Sequence, residues 1–528
     1  LSGAVLPGTE GGMNAVHTVW LGRQPLRLDD LITIAERPGD IDVRLAPETS
    51  ERLQAKRALI DQLSDEARPV YGVTTGFGAL AQTRIPAPAR RALQHALVRS
   101  HAAGMGAPLP RPFVRAMMLA RANSLAQGYS GVRPVVIEQL LALLRHDIIP
   151  YVPRYGSLGA SGDLAPLAHI ALCLTGEGWI LGPDNTPQPT APALIAHGIE
   201  PLVLEAKEGL ALVNGTDGMV ALLALACATA RRLFKTADVA CAMSIESLFG
   251  TDRPFAPEIQ ALRPHPGALA SAANIRRLLA NSGIVRSHRD SPHLVQDAYS
   301  LRCHAQVAGA ARDTLTFAED VLGRELGAAV DNPVILDDGR VESTGNFHGE
   351  PLAFAADFLS IAVAEIGAIA ERRIDRLLDP TRSQGLPAFL TPEPGVNSGL
   401  MIAHYTAAAL AAECRRLAQP ASVESLPTSA MQEDHVSMGW NAALKLHEAL
   451  DCCTRILAVE ILAATYGQVF RRPLEPAAGT GAVAQLVLDH VPPPGPDLFL
   501  APILATVEKL VREGAVLAAA ERAIGPLA

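Results

Sequence analysis

The stretch Gly156-Ser157-Leu158-Gly159-Ala160-Ser161-Gly162-Asp163-Leu164-Ala165-Pro166-Leu167-Ala168-His169 holds residues whose types and spacing permit unusual chemistry. Gly156, Gly159 and Gly162 make a loop whose backbone can turn where other residues cannot. Beyond it, Asp163 suits a helix N-cap, Pro166 is tolerated in a first turn, and Leu164, Leu167, Ala168 and Ala171 continue as an apolar face. Ala160-Ser161-Gly162 is thus presented at a helix N-terminus, where backbone N–H groups and the macrodipole favour negative charge. One reading is an anion-binding loop. The other is covalent. If the tripeptide bends until the Gly162 nitrogen reaches the Ala160 carbonyl carbon, the backbone can cyclise. Loss of two waters, one of them taking the Ser161 hydroxyl, then leaves an exocyclic methylidene, an electrophile that no unmodified side chain supplies.

This run resembles the signature of the histidine and aromatic amino acid ammonia-lyases. The resemblance extends from about Tyr71 to Leu500, most of the chain. It implies that Ala160, Ser161 and Gly162 form 4-methylideneimidazole-5-one (MIO), with no external cofactor. The implied reaction removes ammonia from an α-amino acid by breaking the Cα–N and Cβ–H bonds. The Cβ proton is barely acidic and ammonia leaves poorly, so an electrophile on the amine has a clear use. A base must stand over Cβ, a cation must hold the carboxylate, and a pocket must choose the side chain.

Tyr71-Gly72-Val73-Thr74-Thr75-Gly76-Phe77-Gly78 breaks all periodicity and reads as either a surface turn or a mobile lid. Tyr71 matches the family's loop tyrosine, which favours the lid and makes Tyr71 the base; its pKa, ordinarily about 10, would have to be lowered by helix N-termini and cations. His101 closes a helix, where a lone histidine is usually a cap, but Leu97-Val98-Arg99-Ser100-His101 resembles the lyases' side-chain selector in its histidine form. Gln296, Tyr299 and Arg302, at i, i+3 and i+6, lie along one helix face or an extended turn. The run also resembles the family's QD-x-YS-x-RC motif, with Ala298 in place of the usual proline. That implies Arg302 on the substrate carboxylate through a bidentate fork, with Tyr299 and Gln296 around carboxylate and amine. By the same resemblance, Asn214, an amide in an apolar helix, contacts the prosthetic carbonyl and the carboxylate, and Phe347 packs on the prosthetic ring.

Met431-Gln432-Glu433-Asp434-His435 tempts a metal reading, but consecutive residues do not face one ion and no H-x-x-E-H or C-x-x-C partner exists, so no metal is expected. Gln432 and Glu433 instead match the substrate-binding segment. Glu433 follows the histidine lyases, since a carboxylate pairs with an imidazole and has no use for a phenyl ring. Arg263-Pro264-His265-Pro266-Gly267 is also most similar to bacterial histidine ammonia-lyases. His404 stands where the family normally has Gln, a departure that bears on selectivity if the position lines the pocket.

The elements that must position these groups are helical. Hydrophobic residues make up 49% of the 528 positions and aromatics 4%, which points to an Ala/Leu-packed helical core. A net charge of −9 argues against nucleic acid as the main partner. Seven cysteines without C-x-x-C spacing suggest a reduced, cytoplasmic chain. The uncharged run from Pro394 to Ala412 carries Asn397, Ser398, His404, Tyr405 and Thr406, too polar for a span of about 20 apolar residues, so no membrane is expected. Residues 47–63 read as a helix with Arg52, Lys56 and Arg57 on its solvated face; residues 354–378 read as another, with Glu371, Arg372 and Arg373 outside. Residues 179–202, with Pro183, Pro187, Pro189 and Pro192, read as a solvent-facing hairpin or loop.

The expected fold is mainly α: a smaller N-terminal α+β part, then a long central helical bundle, in the fumarase/aspartase-like architecture the resemblance implies. The expected divisions are 1–18 as leader or foreign residues, 19–205 with lid and prosthetic loop, 206–490 as the bundle, and 491–528 as a C-terminal helical segment. Elimination of ammonia from L-histidine to trans-urocanate is the expected function, in a homotetramer with shared active sites. The rivals are a tyrosine or phenylalanine ammonia-lyase, a 2,3-aminomutase using the same group, and a silent anion-binding helical scaffold.

Overall fold

The computed structural model describes residues 17–65, 70–291 and 294–528. Of the leader expected over 1–18, residues 1–16 lie outside the described residues, while His17 and Thr18 open the first strand. The protein is 59% helix against 7% strand, so the helical expectation holds. Its strands form four two-stranded sheets among the described residues: His17–Leu21 pairs in parallel with Ile41–Leu45, and the other three are antiparallel.

The chain divides into two compact units that do not follow sequence order. The first gathers Leu1–Leu225, Ala318–Ala356 and Ala421–Leu444; the second gathers Ala226–Phe317, Asp357–Pro420 and Lys445–Ala528. All four sheets belong to the first. The second is built from the greater part of the helices Asp217–Ser247, Glu350–Leu378 and Gly439–Phe470. From Asp217 to Ala228 every residue is buried, as an all-round apolar helix demands. Helix Glu350–Leu378 is apolar and long enough to cross a membrane, yet 72% of that apolar window is buried inside the protein, the mark of a core helix. The expected excursion after Trp179 is a hairpin, Trp179–Leu181 with Pro187–Pro189, followed by helix Thr190–Ala196.

Two charge assignments change. On helix Pro47–Asp65, Lys56 and Arg57 are buried rather than solvated. Lys56 Nζ donates to the Leu336 carbonyl at 2.5 Å and to Asp337 at 2.9 Å; Arg57 donates to the Ala206 carbonyl and to Asp61. On helix Glu350–Leu378, Arg372 is exposed but Glu371 and Arg373 are buried. Arg373 forms a two-point ion pair with buried Glu460 at 2.5 and 2.8 Å, which satisfies the charge in place of water.

Candidate active site

The loop before helix Leu164–Leu174 is held in a strained, fully engaged form. Ser161 has φ of +51°, a conformation costing about 1–3 kcal/mol for a residue with a side chain. Gly162, at φ +70°, runs against Gly215 so closely that a Cβ would stand 2.0 Å from the Gly215 oxygen. That same oxygen accepts the Asp163 N–H at 2.7 Å. On the other side, the Gly159 carbonyl accepts the Ser437 hydroxyl at 3.1 Å and the Gly349 N–H at 3.3 Å, and the Leu158 carbonyl accepts the Met438 N–H. Ala160 and Gly162 are buried, while Ser161 keeps partial access. This backbone is bent, crowded and clamped, as a cyclising tripeptide needs.

Asp163 stands at the N-cap position but makes no side-chain cap. It is fully buried, and its carboxylate accepts the Ser157 hydroxyl at 2.7 Å and the Met219 N–H at 2.8 Å, so it braces the loop rather than its own helix. Burial pushes its carboxyl up to about 7, against the hydrogen bonds from Ser157 and Met219. The folded chain therefore holds this proton more tightly than the unfolded one. Its contribution to stability is full below about pH 4 and is lost as pH rises through about 7. Between about pH 5 and pH 8 the melting temperature of the natural chain is expected to fall more than that of an Asp163→Asn variant, which has nothing to ionise there. Parallel profiles would contradict this.

Tyr71 is half-buried, its hydroxyl accepts the Gly78 N–H at 3.1 Å, and its ring meets Phe77 edge-on. The loop is tied to a second one by the Ala79 N–H, which donates to Ser429 Oγ at 3.3 Å. The expected downward shift is not what the surroundings produce. Burial pushes the Tyr71 phenol above its ordinary value, with Glu433 and Asp331 adding to that, and the Gly78 N–H opposes them.

His101 ends helix Arg90–His101. Its Nδ1 lies 2.9 Å from the Leu97 carbonyl and 3.1 Å from Ser100 Oγ, so Nδ1–H caps the helix and Nε2 is the nitrogen left to receive a proton. Burial pulls its pKa down, while the Leu97 bond and Glu433 pull it up. Glu433 acts on both His101 and Tyr71, and its Oε2 accepts Thr428 Oγ1 at 3.2 Å. Gln432 is exposed and Phe347 half-buried. The backbone around Glu433 is strained: Ser429, Ala430 and Met431 all have positive φ.

Asn214 caps the end of helix Glu208–Val213 rather than lying inside it. Its Nδ2 donates to Asp331 Oδ1 and the Asn332 carbonyl, both at 3.1 Å, and its Oδ1 is buried with no hydrogen-bond partner among the described residues. Lys207, wholly buried, pairs with Asp331 at 2.5 Å. Burial pulls the Lys207 ammonium down and Asp331 pulls it back up. Sequence reasoning passed over Lys207 and Asp331, because nothing in their local spacing announces a partner 124 residues away.

Gln296, Tyr299 and Arg302 belong to the other unit. Tyr299–Arg302 is a single helical turn with Ala298 at its N-cap, so the i, i+3, i+6 set shares no helix face. Arg302 lies over the Tyr299 ring at 4.5 Å and gives Nε to the Asp297 carbonyl at 2.9 Å; its two Nη groups are not part of that bond. Tyr299 is 71% exposed. Gln296 lines a cavity of about 330 Å³ with Phe249, His288, Arg289 and Asp297. His404 Nε2 meets Glu371 at 2.8 Å, a carboxylate that Arg372 also holds.

Residues 26–489 match the family model described as aromatic amino acid lyase. The histidine ammonia-lyase of Streptomyces avermitilis is 53% identical over 514 residues, covering 97% of this chain and 100% of that protein. Among solved structures, a tyrosine aminomutase from Streptomyces globisporus superposes with a TM-score of 0.90 at 37% identity, covering 96% of this chain and 99% of that one. Histidine ammonia-lyase from Trypanosoma cruzi gives 0.87 at 40% identity and 96% coverage of each chain.

Proposed function

The chain belongs to the aromatic amino acid lyase family, and from this we propose that it eliminates ammonia from L-histidine to give trans-urocanate. The observation that carries the reading is Glu433: one carboxylate acts on both His101, the expected side-chain selector, and Tyr71, the expected base. An imidazole substrate can use an anion and a neutral histidine acceptor together; a phenyl ring cannot.

Ala160, Ser161 and Gly162 are the residues that would become MIO, and three features support the fit: the strain at Ser161, the absence of room for a side chain at Gly162, and the orphaned, buried Asn214 Oδ1. The group supplies an electrophile that makes the amine a better leaving group. The chain's own residues do the rest. Tyr71 Oη removes a proton from Cβ; the C–H electron pair becomes the Cα–Cβ double bond, and the Cα–N pair leaves with ammonia. Because Tyr71 is pushed up, its basic form grows on the alkaline side, with the Gly78 N–H helping to hold the phenolate. Arg302 takes the substrate carboxylate through its Nη groups, Tyr299 and Gln296 surround carboxylate and amine, Asn214 turns its free oxygen to the site, and Phe347 packs on the prosthetic ring.

The assembly proposed is a homotetramer with shared active sites. Supporting it, Phe354, Phe358 and Ile361 leave an apolar stripe 42–48% exposed on helix Glu350–Leu378, and Ile402 and Tyr405 do the same on Met401–Leu417. The seven free cysteines suit the reducing cytoplasm proposed as its compartment.

Glu433→Gln is expected to lower kcat/KM for L-histidine about 10- to 100-fold while sparing any L-phenylalanine turnover. Equal losses on both substrates would contradict the selector role. Chromatography of the products separates elimination from amine migration, since accumulation of a β-amino acid would mark an aminomutase.

A further inference from the structure

We propose that His348, Glu350 and His435 bind one divalent cation of the zinc class, at a site outside the reacting groups and independent of the substrate assignment. One nitrogen from each histidine and one Glu350 oxygen all lie within 4.8 Å of one another. The hydrogen bonding already favours a ligand state. His348 Nε2 faces the His435 carbonyl at 3.3 Å, an acceptor, so Nε2 carries the hydrogen and Nδ1 offers its lone pair. Nδ1 lies 3.9 Å from Glu350 Oε2. Glu350 Oε2 is itself shut off from water and has no hydrogen-bond partner among the described residues.

Two acceptors facing each other across a gap too long for a hydrogen bond call for a positive charge between them. A zinc-sized ion sits about 2.0–2.2 Å from nitrogen and carboxylate ligands, so a single ion spans the gap. The His435 ring lies parallel to that of His348, with centroids 5.6 Å apart, and is more exposed; a rotation about its exposed side-chain bonds brings a nitrogen onto the ion as the third ligand from the solvent side. A fourth position is left for water. The consequence is local and mechanical. Gly349 and Ser437, each one or two residues from a ligand, both hold the Gly159 carbonyl of the prosthetic loop. A cation would lock those two segments together behind that loop.

The test uses the full chain stripped with a chelator and titrated with cobalt(II), the spectroscopic stand-in for zinc. The expected result is one cobalt per chain with a visible d–d band, displaced by zinc. Glu350→Gln and His435→Ala should each weaken binding at least about tenfold with unchanged circular dichroism, and zinc should raise the melting temperature of the natural chain but not of Glu350→Gln. No stoichiometric cobalt in the natural chain would overturn the site, whatever the variants do. So would a thiolate charge-transfer band, which would place the metal on cysteine, or affinity unchanged in both variants.

Discussion

Ser161→Ala is expected to keep the fold and lose turnover of L-histidine by about three orders of magnitude or more, at least ~4 kcal/mol of barrier. The loss should be in kcat, because carboxylate and side-chain contacts do not involve Ser161. Alanine has no hydroxyl to expel, so the ring cannot dehydrate to the methylidene. The surroundings that shape the loop survive the change: Gly162 still lies on Gly215, Gly159 still accepts from Ser437 and Gly349, and Asp163 still takes Ser157 and Met219. Circular dichroism and melting temperature should therefore remain close to those of the natural chain. Intact mass gives a second readout. The natural chain should be lighter than its sequence by two waters, localised to a peptide containing residues 160–162, and the variant should not. Unchanged turnover, or a natural chain at full sequence mass, would contradict the prosthetic-group assignment.

Tyr71→Phe is expected to cost about 10²- to 10⁴-fold in kcat, the range for loss of a positioned general base. It removes one oxygen and leaves the edge-on contact with Phe77 and the burial of the ring intact. The Gly78 N–H loses its acceptor, a cost of about 1–3 kcal/mol if that group stays shut off from water. The mass deficit of two waters should persist, which separates this variant from Ser161→Ala. The pH profile carries the sign. Since burial, Glu433 and Asp331 all push the Tyr71 phenol upward, kcat/KM of the natural enzyme should climb with pH through the alkaline range. Glu433→Gln removes one of those carboxylates and should move that limb to lower pH. A limb that stays in place would show that Tyr71 is not the titrating base.

How far the sequence could be read depended on the range of the interactions. The glycine-rich turn leading into helix Leu164–Leu174, the helix ending at His101 and the mainly helical class were legible because each is written within a few neighbouring residues. Lys56 and Arg373 were not. A charge in a helical pattern looks solvated until its partner is known, and their partners lie 280 and 87 residues away. Asp163 is an N-cap residue by type, yet its acceptors are claimed by Ser157 and by Met219, 56 residues on, so tertiary context overrides the local preference. Of the two readings of Gln296, Tyr299 and Arg302, a shared helix face or an extended turn, the helix face fails, since the single turn Tyr299–Arg302 begins after Gln296. Tyr71 moved against expectation because its burial, to which Glu433 and Asp331 add, outweighs the Gly78 N–H that would lower it. His435 has no histidine or carboxylate partner legible in its own segment; the fold brings atoms of His348 and Glu350, more than 80 residues earlier, within 4.8 Å of it. His404 is engaged with Glu371, which gives the departure from the family's usual Gln a definite partner.

Ultraviolet-monitored turnover of the purified chain with L-histidine, L-tyrosine and L-phenylalanine side by side tests the central claim most directly. Urocanate absorbance growing from L-histidine alone is the expected result, and it would fix His101 and Glu433 as the imidazole-reading pair. Coumarate or cinnamate forming in its place, with no urocanate, would contradict the substrate assignment while leaving the reaction class standing.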